Sequence, residues 1–307
     1  MTKTVTFWSH KGGAGGARVR SIIGSTGTML DLFQIAADNA GALDERMTSL
    51  ALMHPGSSKP LRMFASFVER EGRLSLNFRL DRFVDFLISE TYDNAHSLAD
   101  WWAEELVLSS DDLLRAFLKK YWELRVAFDG CFSDGETFRY AALNAGSLGV
   151  LTFGDLCVVL EAAAVDENRV AYLRSDSLKT FMRADATLDE PLLRAEISPH
   201  SHRGVFAAVK HSSECASSPE AAWPWMLCST SEFIEAVFQA DLRPACIAEA
   251  RISQDRHRLL HRLVARLLLG EALHEADRAV ATDFARVLRG LEKLGLKLTP
   301  FSEAPVA

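Results

Sequence analysis

The feature that most constrains the fold of this chain is a set of short, strand-like apolar runs, each ended or interrupted by one polar residue. They are Leu76-Asn77-Phe78-Arg79-Leu80-Asp81-Arg82, then Phe153-Gly154-Asp155-Leu156 running on to Ser175-Asp176-Ser177, then Phe233-Ile234-Glu235-Ala236-Val237-Phe238. A half-buried strand alternates apolar and polar side chains, so such runs present isolated polar groups from a sheet-lined cleft. Leu74, Leu76 and Phe78 share one face of the first run, and Asn77 and Arg79 the other. Further strand-like runs are read at Val150 to Leu160, Arg169 to Leu173, Gly204 to Val209, Phe233 to Phe238 and Ile247 to Ile252.

Helical spacing surrounds this block. Apolar residues recur at helical intervals from Met29 to Met53 and from Leu61 to Val68, with Pro55-Gly56 between them. A long helical region holds Trp101, Trp102, Leu106, Leu113, Leu114, Phe117 and Trp122, and the last fifty residues read as two amphipathic helices split near Gly270. Helices flanking a block of short strands give the α+β class. The expected organisation is a flexible glycine-rich segment over residues 1–25, followed by one domain over residues 26–307.

Nearly half of the 307 residues are apolar, enough for a sizeable core. The net charge of −7 comes from mixed acidic and basic residues with no long basic run, which argues against nucleic acid. The apolar stretch near the C-terminus, Leu263 to Leu268, interrupted by Arg266, is too short to span a bilayer, so no membrane is expected as a partner. Five cysteines without CxxC spacing read as reduced and structural.

Motifs sharpen the picture. The stretches LNFRLDR (76–82), YAALN (Tyr140 to Asn144), RSDS (Arg174 to Ser177) and FIEA (Phe233 to Ala236) resemble, across roughly residues 70 to 250, a bacterial ADP-ribosyltransferase-like family with LNFHPDR-, YGALN-, FGDS- and YVEA-like stretches. The chain also resembles the CteC-type effectors that attach ADP-ribose to a threonine of host ubiquitin. The resemblance implies a split mixed or antiparallel β-sheet core with helical additions at both ends. It implies a monomeric mono-ADP-ribosyltransferase that uses NAD as substrate and is made in a bacterial cytoplasm, then secreted into a host cytosol. The leading Thr, Ser and Gly-rich stretch is compatible with a secretion signal.

The implied catalytic residues are Glu235, Ser177 and Arg82, with Arg82, Arg79, Asn77, Ser177, Tyr140 and Phe153 around NAD. Breaking the nicotinamide N-glycosidic bond develops positive charge on the ribose, which a carboxylate such as Glu235 can offset. A guanidinium fork suits the phosphates, and the sequence leaves Arg79 and Arg82 as rivals for it. Where the family pattern has His-Pro, this chain has Arg79-Leu80.

Each residue also has a plainer reading. Glu235 could face water on an edge strand, either arginine could pair with Asp81 or Asp85, Ser177 could cap a helix, and Tyr140 and Phe153 could be core aromatics. A transferase-like cleft without catalysis, serving as a binding protein, is the alternative function. Two other patterns lead elsewhere. Lys11 to Ala17 is similar to a deviant phosphate-binding loop, which gives a nucleotide binder as a more distant alternative, but has Gly16 and Ala17 where a lysine and a hydroxyl are required. His200, His202, Cys215 and Cys228 could be drawn as a zinc set, but the spacing matches no common site and no metal is expected.

Overall fold

The structure, a computed structural model, describes residues 29–94, 96–97, 99–100, 121–229 and 232–302. The leading segment with its Lys11 to Ala17 loop, and Trp101, Trp102, Leu106, Leu113, Leu114 and Phe117, lie outside the described residues.

Two helices open the described chain, α1 (Leu32–Asp38) and α2 (Ala40–Met53), followed by α3 (Ser58–Glu71). Asp31 caps α1, accepting from the backbone N–H groups of Phe33 and Gln34 at 3.0 and 3.1 Å. Then come β1 (Arg73–Phe78), α4 (Leu80–Ser89), α5 (Trp122–Asp129), β2 (Arg139–Asn144), β3 (Leu156–Leu160) and β4 (Val170–Leu173). They are followed by α6 (Ser177–Thr180), α7 (Glu190–Ala195), β5 (Ile197–Pro199), α8 (Arg203–Lys210), α9 (Ser212–Ser217) and α10 (Trp223–Leu227). Last are β6 (Glu235–Phe238), β7 (Ile247–Ser253), α11 (Gln254–Leu268), α12 (Glu275–Lys293) and β8 (Leu298–Phe301).

The class is α+β. All eight strands pair into one sheet, in the order β5-β4-β6-β2-β1-β3-β7-β8. Every pairing is antiparallel except β7 with β8, which makes the sheet mixed. Alternation along the strands divides the apolar side chains between two cores. Val170, Tyr172, Ala236 and Phe238 enter the larger one, which α3, α4, α8 and α12 complete. Ala171, Leu173 and Val237 enter the smaller one, which α1, α5 and α6 complete. Glu235 lies two residues before Val237 and therefore faces the smaller core.

Several expected strands are corrected. Gly204 to Val209 is helical, within α8. A short, almost wholly apolar run carries no usable period, and here it buries Gly204, Phe206, Ala207 and Ala208 against α3. Gly204 sits so close to α3 that a Cβ would meet the Ala65 carbonyl oxygen at 2.3 Å, so a small residue is required. In Val150 to Leu160 only Leu156–Leu160 is extended, because Leu151–Phe153 forms a 3-10 turn. Gly154 then passes against the Phe78 backbone, leaving no room for a side chain. In Phe233 to Phe238 the strand begins at Glu235, and Phe233 makes an isolated bridge with Cys228.

Arg79 leaves β1 as the residue before α4 rather than sharing a strand face with Asn77. The strands β2, β5 and β8 go unread in the sequence. β2 is rich in alanine, and β5 and β8 are short edge strands carrying Pro199 and Pro300. The two C-terminal helices fall where the periodicity puts them, with Gly270 at φ +73° in the turn between them. All five cysteines are free. No helix among the described residues is long and apolar enough to cross a membrane.

Candidate functional site

Glu235 opens β6, where it is only 6% exposed, with Ala142 of β2 and Leu173 of β4 as its cross-strand neighbours. Its Oε2 accepts the backbone N–H of Ser177 at 2.7 Å, which joins two residues 58 positions apart. Ser177 is the first residue of α6 and is fully buried. The cap of that helix is Asp176, whose carboxylate accepts from the N–H groups of Leu178 and Lys179 at 3.1 Å. Ser177 is thus released from capping, and its Oγ accepts from Nη2 of Arg125 at 3.2 Å.

Arg125 on α5 is the buried guanidinium beside the Ser177 hydroxyl. Its Nη1 reaches Asp129 Oδ1 at 3.3 Å, one helical turn on, and its guanidinium carbon lies 3.6 Å from the centre of the Tyr140 ring. The Tyr140 hydroxyl donates to the same Asp129 oxygen. The other Asp129 oxygen meets His96 Nε2 at 2.8 Å. A buried chain of polar groups therefore runs His96, Asp129, Arg125, Ser177, Glu235, with Tyr140 stacked beneath it.

The electrostatics follow from burial. Desolvation pushes the Glu235 carboxyl up to about 7, with Asp176 adding to the rise, while Arg125 and the Ser177 hydrogen bonds oppose it. Burial alone would lower Arg125, but Tyr140, Asp129 and Glu235 reverse that and hold the guanidinium protonated. Burial also raises the Tyr140 hydroxyl well above its ordinary range, so it serves as a donor.

Lys210, at the end of α8, sets the frame from the other side. Its ammonium donates to the carbonyls of Arg174 at 2.5 Å and Phe233 at 2.9 Å. These are the residues beyond the end of β4 and before the start of β6, so one side chain ties the two chain segments that deliver Ser177 and Glu235. The same nitrogen pairs with Glu232 at 3.4 Å.

The remaining expected residues lie elsewhere. Arg79 is 74% exposed and pairs with Asp81 at 3.3 Å, and Arg82 is 48% exposed and lies 3.8 Å from Asp85. Neither makes a hydrogen bond or ion pair to Glu235 or Ser177 among the described contacts. Asn77 is engaged inside the protein: its amide nitrogen donates to the carbonyls of Leu148 and Gly154 at 3.0 Å, and its oxygen accepts from Val150 N at 2.8 Å. It thereby fastens the loop between β2 and β3. At the neighbouring turn Gly149 has φ +68°, and a Cβ there would lie 2.1 Å from the Asn77 oxygen.

Asn144, Ser75 and Arg251 complete this fastening. Asn144 donates to Ser75 Oγ at 3.2 Å, and both Asn144 and Arg251 donate to the Ser147 carbonyl. Tyr140 is stacked on Arg125. Phe153 is 56% exposed and meets Phe233 edge-on at 5.9 Å, two residues from Glu235. A line of contacts thus connects Arg79, whose backbone abuts Gly154, through Phe153 and Phe233 to the start of β6.

The histidines and cysteines of the zinc-like pattern have separate partners. His200 meets Tyr172, His202 meets Ser201, Cys215 the Ser212 carbonyl and Cys228 the Leu143 carbonyl. The residues that sequence reasoning missed are Arg125, Asp129, His96 and Lys210. Arg125 and Asp129 left a trace, since they fall at i and i+4 beside Phe128, which puts a charge pair next to the apolar face of a helix. The chain matches no family model, no curated protein and no solved structure.

Proposed function

We propose that the protein is a mono-ADP-ribosyltransferase that transfers ADP-ribose from NAD to a host protein, with a threonine of ubiquitin as the acceptor that its motifs suggest. The single observation carrying this reading is the pairing of Glu235 with Ser177, two motif residues far apart in sequence, beside a buried guanidinium. In the reaction the N-glycosidic bond of NAD breaks and nicotinamide leaves with the bonding pair. The acceptor oxygen then adds to the ribose carbon and gives up its proton. Glu235 would hydrogen-bond a hydroxyl of the nicotinamide ribose and take that proton, a role for which a value near 7 is suited. Ser177 would hold the carboxylate in place, and Arg125 would hold Ser177. Arg79 and Arg82 are the candidates for the NAD phosphates, and the contacts through Phe153 and Phe233 link their end of α4 to Glu235.

The ADP-ribosyltransferase type of core belongs to the same proposal. It is supported by a mixed sheet with Glu235 on an interior strand, although the strands pair as one sheet rather than two. Purified protein incubated with labelled NAD and host-cell lysate should transfer label, and Glu235→Gln should abolish transfer while the variant stays folded. Undiminished transfer by that variant would remove the assignment.

The burial of Glu235 and Ser177 favours a second reading, in which the cluster is a fixed internal brace and the protein binds a partner without catalysis. NAD then gives no thermal shift, whereas binding at 100 times Kd should stabilise by roughly 2.7 kcal/mol.

A further inference from the structure

Helix α11 carries a second histidine constellation with no part in the site above. His257 and His261 are four residues apart on one helix face, and their Nε2 atoms lie 3.0 Å from each other. The ring centroids are 4.3 Å apart, and both rings stand edge-on to the fully buried Phe284 of α12, at 6.3 and 5.2 Å. Phe284 therefore restricts both imidazoles while leaving their Nε2 edges toward an open depression of about 750 Å³ lined by Asp255, His257, Arg258, His261 and Arg262.

From this arrangement we infer that His257 and His261 form a two-nitrogen clamp for a divalent transition metal, with copper(II) preferred. The 3.0 Å separation is a bite distance. With metal–nitrogen bonds of roughly 2.0–2.1 Å, two nitrogens that far apart subtend about 90° at the metal, the angle of neighbouring ligands in a tetragonal site. A tetrahedral ion would need the same nitrogens about 3.3 Å apart, a small side-chain adjustment, so the ranking of copper over zinc comes from ligand affinity. Affinity for nitrogen ligands peaks at copper(II) in the divalent series.

Without metal, one Nε2 must donate a proton to the other. With metal, the donor ring shifts its proton to Nδ1, where the acceptor ring already carries its own, so both present an Nε2 lone pair and the ring pair need lose no proton. Water would supply the remaining ligands within the same depression, where the Asp255 carboxylate is held 3.9 Å from the Arg258 guanidinium. Among the described residues no group of three or more His, Cys, Asp or Glu side chains could hold a metal, so the clamp supplies two protein nitrogens and leaves the other positions open.

Untagged full-length protein titrated with copper(II) should show a visible d–d band at one equivalent and an electron paramagnetic resonance spectrum with coupling to two nitrogens. His257→Gln and His261→Gln, changed singly, should each weaken copper binding by at least about tenfold, since even loss of a ligand's supporting hydrogen bond costs roughly 10–100-fold. Both side chains reach the surface, so the Tm without metal should hold, and zinc should bind more weakly than copper. Copper binding that survives in the double variant overturns the assignment. So does the absence of copper uptake at micromolar concentration, or a spectrum coupled to fewer than two nitrogens.

Discussion

Replacing Glu235 by glutamine should make the protein more stable, and only above the pH at which an ordinary glutamate ionises. In the folded protein the carboxyl titrates at about 7, against 4.5 for a free side chain, chiefly because β6 and α6 remove it from water. The sign follows from proton linkage. Between those two values the folded state holds a proton that the unfolded state has lost, so stability falls as pH rises, by about 1.4 kcal/mol per pH unit. The loss is complete once pH passes the folded value, and over this window it amounts to about 3 kcal/mol. Glutamine mimics the protonated acid: its carbonyl oxygen can accept from Ser177 N–H, and it carries no charge to desolvate. The opposing attractions to Arg125 and Ser177 are already contained in the value of about 7.

The difference in unfolding free energy, variant minus parent, should therefore be near zero at about pH 4, climb through the interval and level off at about 3 kcal/mol above pH 7. Taking the difference also cancels His200. Burial lowers that histidine to about 4, so its contribution has the opposite trend, present above pH 6.5 and lost as pH falls. Urea unfolding with linear extrapolation at a series of pH values measures the curve, provided the m value is unchanged. A flat difference across the series, or a variant less stable than the parent at pH 8, would refute the claim that the carboxylate is buried at a net cost.

Asp129→Asn removes the carboxylate shared by Arg125, Tyr140 and His96 and should cost about 3–5 kcal/mol, read by chemical unfolding. Ser177→Ala keeps the backbone N–H that holds Glu235 but loses the hydroxyl that accepts from Arg125 and helps to keep the Glu235 carboxyl ionised, so it should cost about 1 kcal/mol while label transfer falls further than stability does. Asn77→Ala should lower stability by about 2 kcal/mol or more, because the Val150 N–H and two carbonyls lose their partner. If its role is to fasten that loop, calorimetry should find the NAD affinity of the folded variant unchanged. By nuclear magnetic resonance, His200 should stay neutral until pH falls to about 4.

How far the sequence reveals this architecture depends on what each element leaves in local composition. β1 and β7 are legible because apolar and polar residues alternate, β4 because apolar residues fill a short segment, and α3, α11 and α12 because their apolar spacing persists over several turns. β2 is not, since alanine marks no period and its identity as an interior strand comes from β1 and β6 on either side. The same holds for the site. Glu235 announced itself as a charge inside an apolar run, and Ser177 as a motif residue. Arg125 reaches them only because α5 packs against α6, a tertiary fact with no nearby sequence mark beyond the Arg125 and Asp129 pair.

The guanidinium question turns on desolvation rather than on motif. An arginine at the surface, such as Arg79 beside Asp81, gains little from a carboxylate because water already solvates both. Arg125, closed in by Tyr140, Phe128 and Asp129, acts on Glu235 where screening is weak, so its field is the main force opposing the rise that burial imposes on that acid. Arg125→Met should accordingly raise the Glu235 pKa above 7 and shift any pH profile of label transfer upward. The same change at Arg79 or Arg82 should leave that profile in place and alter only NAD affinity. An unmoved profile in the Arg125 variant, measured on folded protein, would mean that the positive charge acting on Glu235 lies elsewhere.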